Sequence, residues 1–285
     1  MTTEAPSASL TSLTELEAGA VSADGVVYTG HLDPVFTIGP KVHGGSLQMM
    51  VAAAASRALT QLADPAVGTA VIAVASDYLA APDPAAVDLH VALIKTGRTV
   101  WLVRVDVRQN GRLMVTSTVT LGRPDHGEAR FRGLTPVADL PPEPPTGIAD
   151  LTSSPLGDIF HLNAAVDVVL DLERFPALRG ETGEPVIRGW ARPRTDVTAD
   201  VHALFPVLVC DVSPPVVMNL GMFGWAPTVQ LTTYVNRVPA AGWLRFAASS
   251  QDVGQGMFAE DHVAVDATGA TVAQSRQLAL LPAPR

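Results

Sequence analysis

Apolar residues recur along this chain with two periods, and the periods follow the same order in both halves. Residues 26–38 read as a first strand. Leu47, Met50, Val51, Ala54, Ala55, Ala58 and Leu62 then fall at helical spacings. His43-Gly44-Gly45-Ser46 leads into that helix, with Ser46 the expected N-cap and Asp64-Pro65 the stop. Strand-like runs follow over residues 70–79, 87–95, 99–108 and 112–121. Turn residues separate them at Pro82-Asp83-Pro84, Thr96-Gly97-Arg98 and Asn110-Gly111, the last a strong hairpin signal. The second half predicts short strands near residues 159–162 and 186–192 and a helix over about 200–210. Strands then come at 228–237, 243–250, 257–266 and 270–281.

Each predicted helix is Ala- and Leu-rich nearly all round, so it needs cover on most sides. A curved antiparallel sheet wrapped around one helix provides that cover. Two such units joined edge to edge give one continuous sheet with two buried helices, an α+β double hotdog. The pattern divides the chain into a flexible tail over residues 1–23, with at most one or two helical turns around 12–18, and an N-terminal unit over 24–122. A Pro-rich linker over 123–158 follows, extended at Pro141-Pro142-Glu143-Pro144-Pro145. The C-terminal unit takes residues 159–285.

The repeat can be read residue by residue. Ser76-Asp77-Tyr78-Leu79 recurs as Thr232-Thr233-Tyr234-Val235, an offset of 156, and Gly111 to Ser117 recurs as Gly269 to Ser275, an offset of 158. On that register Ala55 corresponds to Asp211, Ile72 to Thr228 and Val119 to Gln277. Three apolar positions of the first copy are therefore polar in the second, which points to a single site in the C-terminal unit.

Composition narrows the function classes. Hydrophobic residues make up 47% of the 285 and charged residues 16%, so most of the chain is expected to be folded and buried. The net charge of −9 argues against a general nucleic-acid binder. One cysteine, Cys210, excludes an internal disulfide and a paired-cysteine metal or redox site. The seven histidines show no metal-ligand spacing, so no metal or cofactor is expected. With no basic and apolar leader and no apolar run of about 20 residues, a cytoplasmic protein off the membrane is expected.

Asp211 lies in the apolar stretch Phe205-Pro206-Val207-Leu208-Val209-Cys210-Asp211-Val212. An ionised carboxylate left unpaired there costs several kcal/mol, so it is hydrogen-bonded, protonated or beside a wet cavity. Alternatively it ends the helix and caps the turn at Ser213-Pro214-Pro215. The pattern alone leaves both open. Thr228 alone is an ordinary strand residue and Gln277 an ordinary solvated one; only the comparison between the copies raises them.

The segments Val42-His43-Gly44-Gly45, Ser76-Asp77-Tyr78-Leu79, Leu93-Ile94-Lys95-Thr96-Gly97-Arg98-Thr99 and Val272-Ala273-Gln274-Ser275-Arg276-Gln277 resemble the acyl-CoA thioesterase II (TesB-like) family, in its actinobacterial form. The resemblance implies a double hotdog that hydrolyses fatty acyl-CoA. Its site would be an Asp on the second helix, a Thr on the next strand and a Gln near the carboxyl end, falling here on Asp211, Thr228 and Gln277. It also implies that the amino end of the first helix, at His43, Gly44, Gly45 and Ser46, would polarise the thioester carbonyl. Val229-Gln230-Leu231 departs from the family's usual acidic-His pair, which bears on substrate length.

Other chemistries fail on spacing. No G-x-S-x-G elbow is present. Gly254-Gln255-Gly256-Met257-Phe258-Ala259 fits a dinucleotide fingerprint but joins two expected strands instead of opening a helix. A hotdog hydratase needs an Asp followed five residues later by a His before a helix, and neither helix supplies it. The competing expectation is a non-catalytic acyl-CoA or lipid-binding double hotdog. Arg188, Arg192 and Arg194 near Trp190 read either as a contact for CoA phosphates or as a solvated strand edge. The sheet's outer face and edges leave homo-oligomerisation open.

Overall fold

The computed structural model describes residues 9–22, 25–147, 151 and 156–283. After a 3-10 turn at Leu10–Leu13, the first half runs β1 (Glu17–Ser22), β2 (Gly25–His31), the short pair β3 (Thr37–Ile38) and β4 (Lys41–Val42), and α1 (Gly44–Leu62). It continues with β5 (Ala70–Tyr78), β6 (Ala86–Lys95), β7 (Val100–Gln109) and β8 (Arg112–Gly122). The second half runs β9 (Val166–Leu170), β10 (Val186–Pro193), α2 (Ala199–Val209), β11 (Thr228–Val235), β12 (Leu244–Ser249), β13 (Met257–Val265) and β14 (Thr271–Leu280).

Twelve of these strands form one sheet in the order β1-β2-β6-β7-β8-β5-β11-β14-β13-β12-β10-β9. The order reads the same from either end once the copies are matched, with β5 and β11 side by side at the centre. The expected double hotdog is the observed fold. Alternation along β7 and β8 turns Val103, Val105, Val107, Val115, Val119 and Leu121 inward, where they join the buried face of α1 in one core shared by both halves. The hairpin at Asn110-Gly111 has positive φ at both residues, as its sequence required.

The central pairing corrects the repeat register by one residue. β5 and β11 are antiparallel, with Ser76 opposite Leu231, Ala75 opposite Thr232 and Val74 opposite Thr233. Val74 and Ser76 in β5, and Leu231 and Thr233 in β11, are the buried positions. A β-bulge interrupts both strands at matching places, between Val71 and Ala73 and between Thr228 and Gln230. Burial and bulges together equate Ser76 with Thr233 and Val71 with Thr228. The sequence match of Tyr78 to Tyr234 had set Ile72 against Thr228. Val71 is also apolar, so the contrast between copies survives the shift.

Two further expectations change. Residues 10–13 and 17–22 are ordered elements where a tail was expected: Leu10 and Leu13 are buried in the core, and β1 pairs with β2. The first eight residues of that tail lie outside the described residues. The strand expected near residues 159–162 is instead a single bridge from Phe160 to Ile38 followed by a 3-10 turn, His161–Ala164.

The linker is strapped to the outer face of the C-terminal half of the sheet. Val137 and Leu140 pack with Val169, Trp190, Trp243, Ala247, Val263 and Val265. Trp190 Nε1 donates to the Pro141 carbonyl at 2.9 Å, and Arg245 donates to that of Leu140 at 2.9 Å. Arg188 bonds Asp171, Asp139 and the Pro136 carbonyl, while Arg192 and Arg194 both pair with Asp167. All three are thus engaged within the protein, but β10 lies between β12 and β9 and Arg188 is buried, so they form no solvated strand edge either.

Candidate active site

α2 ends early because of its own prolines. Pro206 lacks an N–H inside the helix, and Ser213-Pro214-Pro215 forbids its continuation. The last turn tightens: Asp211 N–H bonds the Leu208 carbonyl and Val212 N–H the Val209 carbonyl. The carbonyls left over find partners on other elements, Cys210 from Ser275 Oγ at 2.7 Å and Asp211 from His43 Nε2 at 2.8 Å. Asp211 therefore stands two residues beyond the helix and reaches across to the other copy.

Its carboxylate meets the amino end of α1. Oδ2 accepts from Gly45 N–H at 2.7 Å and lies 3.5 Å from His43 Nε2. A negative group is favoured there by the helix dipole. Burial nevertheless raises the Asp211 pKa above its ordinary value, with His43 and the Gly45 N–H pulling the other way. The N-cap of α1 is His43 and not Ser46, which is the third residue of the helix. His43 Nδ1 accepts from Ser46 N–H at 3.1 Å, so the ring proton sits on Nε2 and is donated to the Asp211 carbonyl. Sequence pattern favoured Ser as a cap; the imidazole takes that role because it bonds both copies at once.

Glycine is required twice at this junction. A Cβ on Gly44 would stand 2.8 Å from Asp211 Oδ2, and one on Gly45 would stand 2.8 Å from the Leu208 carbonyl oxygen and 2.9 Å from Asp211 Cβ. Tyr78 closes the same corner, donating to the Gly44 carbonyl at 3.0 Å. Burial first and the Asp211 charge second hold its phenol well above the ordinary range.

Thr228 and Gln277 come together as a hydrogen-bonded pair, with Thr228 Oγ1 donating to Gln277 Oε1 at 3.0 Å. The bulge explains Thr228. Leu231, Thr233 and Val235 face inward, so strict alternation would turn Val229 in and Thr228 out. The inserted residue reverses this and leaves Val229 exposed. Gln277 needs no such device, since Ser275, Gln277 and Ala279 alternate on the inner face.

Asp211, Thr228, Gln277, His43 and Gly44 line one cavity of about 690 Å³. Gly45 and Ser46 stand behind the wall, their N–H groups already engaged by Asp211 and His43. The remaining walls are largely apolar, including Leu47, Phe160, Met218, Trp225 and Leu280. Among the described residues no group of His, Cys, Asp or Glu could hold a metal ion, and no helix is long and apolar enough to cross a membrane.

Sequence reasoning missed a second carboxyl in the cavity wall. Glu260 is 1% exposed, accepts from Val216 N–H at 2.9 Å and from Gln277 Nε2 at 3.1 Å, and lies 3.3 Å from His262 Nε2. Burial, with Asp211 nearby, raises its pKa to about 8. Burial, with His43 second, lowers that of His262 to about 3. Both shifts disfavour the charged form, so burial weakens the ion pair that the 3.3 Å contact would otherwise suggest, while Ser213 Oγ lies 3.0 Å from His262 Nε2. The signal was present: Glu260 and His262 share strand parity with Phe258 and Ala264, the apolar face of β13. Cys210 is buried beside Asp211, its thiol pushed up by burial and away from reactivity.

The family model for the acyl-CoA thioesterase N-terminal domain matches residues 32–122, and that for the acyl-CoA thioesterase C-terminal domain matches residues 137–281. An uncharacterized protein of Mycobacterium tuberculosis is 40% identical over 273 residues, covering 90% of this chain and 91% of its own. Among solved structures, a candidate thioesterase II from Thermobifida fusca superposes with a TM-score of 0.80 at 27% identity, covering 98% of this chain and 99% of that one. Acyl-CoA thioesterase II from Mycobacterium marinum shares the fold at a TM-score of 0.68 and 16% identity, covering 96% and 97%.

Proposed function

Since this chain belongs to the acyl-CoA thioesterase family, we propose that it hydrolyses fatty acyl-CoA to the free acid and CoA, using a water held between Asp211 and the Thr228–Gln277 pair. The observation that carries this reading is the shared cavity. One carboxylate with a raised pKa and one neutral hydrogen-bonded pair face a single, largely apolar space.

A water nucleophile is best held through its hydrogens, which leaves a lone pair free to attack. In the proposed reaction Asp211 accepts one hydrogen and the Thr228–Gln277 pair accepts the other. As the water oxygen bonds to the thioester carbon, its proton passes to Asp211. The carbonyl oxygen gains negative charge, and the Gly44 N–H at the amino end of α1 is its donor, since Gly45 and Ser46 are engaged. Collapse of the tetrahedral intermediate breaks the C–S bond, and the leaving CoA thiolate takes from Asp211 the proton that came from water. The Gly45 N–H, donating to Asp211 Oδ2, keeps the base from drifting between turnovers.

The competing reading keeps Asp211 as a cross-copy helix cap in a protein that only binds acyl-CoA. Free thiol release measured across acyl-CoAs of varied chain length separates the two. Hydrolysis by the wild type, reduced by Gln277→Ala, is the expected result. Tight binding across the panel without thiol release would reject the hydrolase and favour the binding protein.

A further inference from the structure

Glu260 is buried behind Gln277, and the mechanism above gives it no role. Its two oxygens are fixed separately. Oε2 is anchored on the Val216 N–H, while Oε1 accepts from Gln277 Nε2 and neighbours His262. Asp211 and Asp261 are the carboxylates near enough to act on it. A glutamine amide offers an acceptor at one end and donors at the other, and the two ends are nearly the same shape. What Gln277 presents to Thr228 thus depends on what holds its far end. With Nε2 turned to Glu260, Oε1 must face Thr228, and the Thr228 hydroxyl spends its hydrogen on Gln277. Both groups then meet the cavity with lone pairs, as a donating water requires.

We propose that Glu260 is a positioning residue for hydrolysis, acting through Gln277 to fix the Thr228–Gln277 pair as an acceptor for the attacking water. This rests on the thioesterase reading. A purely structural role, anchoring the 3-10 turn Val216–Leu220 through its first N–H, is the alternative.

Glu260→Gln tells these apart. In that variant the Val216 N–H still demands an oxygen, so the new amide nitrogen faces Gln277. Gln277 must then turn its oxygen toward residue 260 and its nitrogen toward Thr228, which inverts the polarity of the pair at almost unchanged shape. Steady-state kinetics are measured on one acyl-CoA that the wild type turns over, for Glu260→Gln, Gln277→Ala, their double variant and the exchange Glu260→Gln/Gln277→Glu. Circular dichroism and the thermal midpoint of each variant are recorded alongside. The expected result is a fall in kcat of between about tenfold and a hundredfold for Glu260→Gln, with KM nearly unchanged. That loss vanishes in the Gln277→Ala background and is partly restored by the exchange, which returns an acceptor to Thr228. The proposal is overturned if Glu260→Gln leaves kcat intact or raises KM alone. It is equally overturned if the loss recurs in full without Gln277, or if a variant that fails to fold is restored in fold but not in kcat by the exchange. Absence of wild-type turnover would instead reject the thioesterase reading itself.

Discussion

Asp211 is both an anion at a helix amino end and a carboxyl taken out of water, and these act in opposite directions on its proton. Burial is the larger influence, so the base form appears at higher pH than for an ordinary carboxyl. The sign for activity follows: kcat/KM rises with pH through the Asp211 pKa and falls as the carboxylate is protonated. A pH–rate profile should show an acid limb above the usual carboxylate range. His43→Asn, which removes an influence that lowers the pKa, should move that limb to higher pH. A limb at an ordinary carboxylate pKa, or one that moves down in His43→Asn, would contradict the assigned base.

At the scale of elements, strand and helix periods were legible in the sequence, and their irregularities were not. The alternating runs placed β5 to β8 and β11 to β14 within a residue or two, since each buries one face. Matching Tyr78 to Tyr234 nevertheless put the copies out of step, because a residue-type match cannot see a bulge. Thr228 reaches the cavity only through that bulge, so simple alternation would have turned it to solvent. Glu260 was passed over because a charged residue in an otherwise ordinary strand carries no signal until its parity is compared with its neighbours. Asp211 was legible as an anomaly, but not as a partner of Gly45, since that contact spans the two copies. The helix-end junction itself can be tested with Gly45→Ala. The added Cβ would press on the Leu208 carbonyl and Asp211 Cβ, and overpacking of this kind costs about 1–3 kcal/mol. Thermal unfolding should show a lowered midpoint, together with a loss of turnover larger than the stability change accounts for. Wild-type stability and activity would refute the close approach.

Across the whole molecule, the two copies are joined by more than the β5–β11 ladder. Gln48 of α1 is buried at the local twofold axis, where Ala75 lies opposite Thr232. Its Nε2 donates to the carbonyls of Val74 and Leu231, and its Oε1 accepts from Thr233 Oγ1 at 2.7 Å. One side chain thus satisfies buried groups from both halves. Gln48→Leu would strand them, at a cost of about 1–3 kcal/mol, read as a lower urea midpoint at constant slope. An unchanged midpoint would mean the copies do not rely on it. The duplication therefore supplies one continuous sheet and, where the end of α2 meets α1, the single corner proposed as the site. The first copy contributes the helix end with the His43 and Tyr78 side chains, and the second contributes Asp211, Thr228 and Gln277.

The central claim is that this corner is a hydrolytic site with Asp211 as its base. Thiol release from an acyl-CoA that the wild type hydrolyses, compared with Asp211→Asn at matched folding, tests it most directly. The account expects kcat to fall by about a hundredfold to ten-thousandfold while acyl-CoA still binds; turnover undiminished in Asp211→Asn would contradict it.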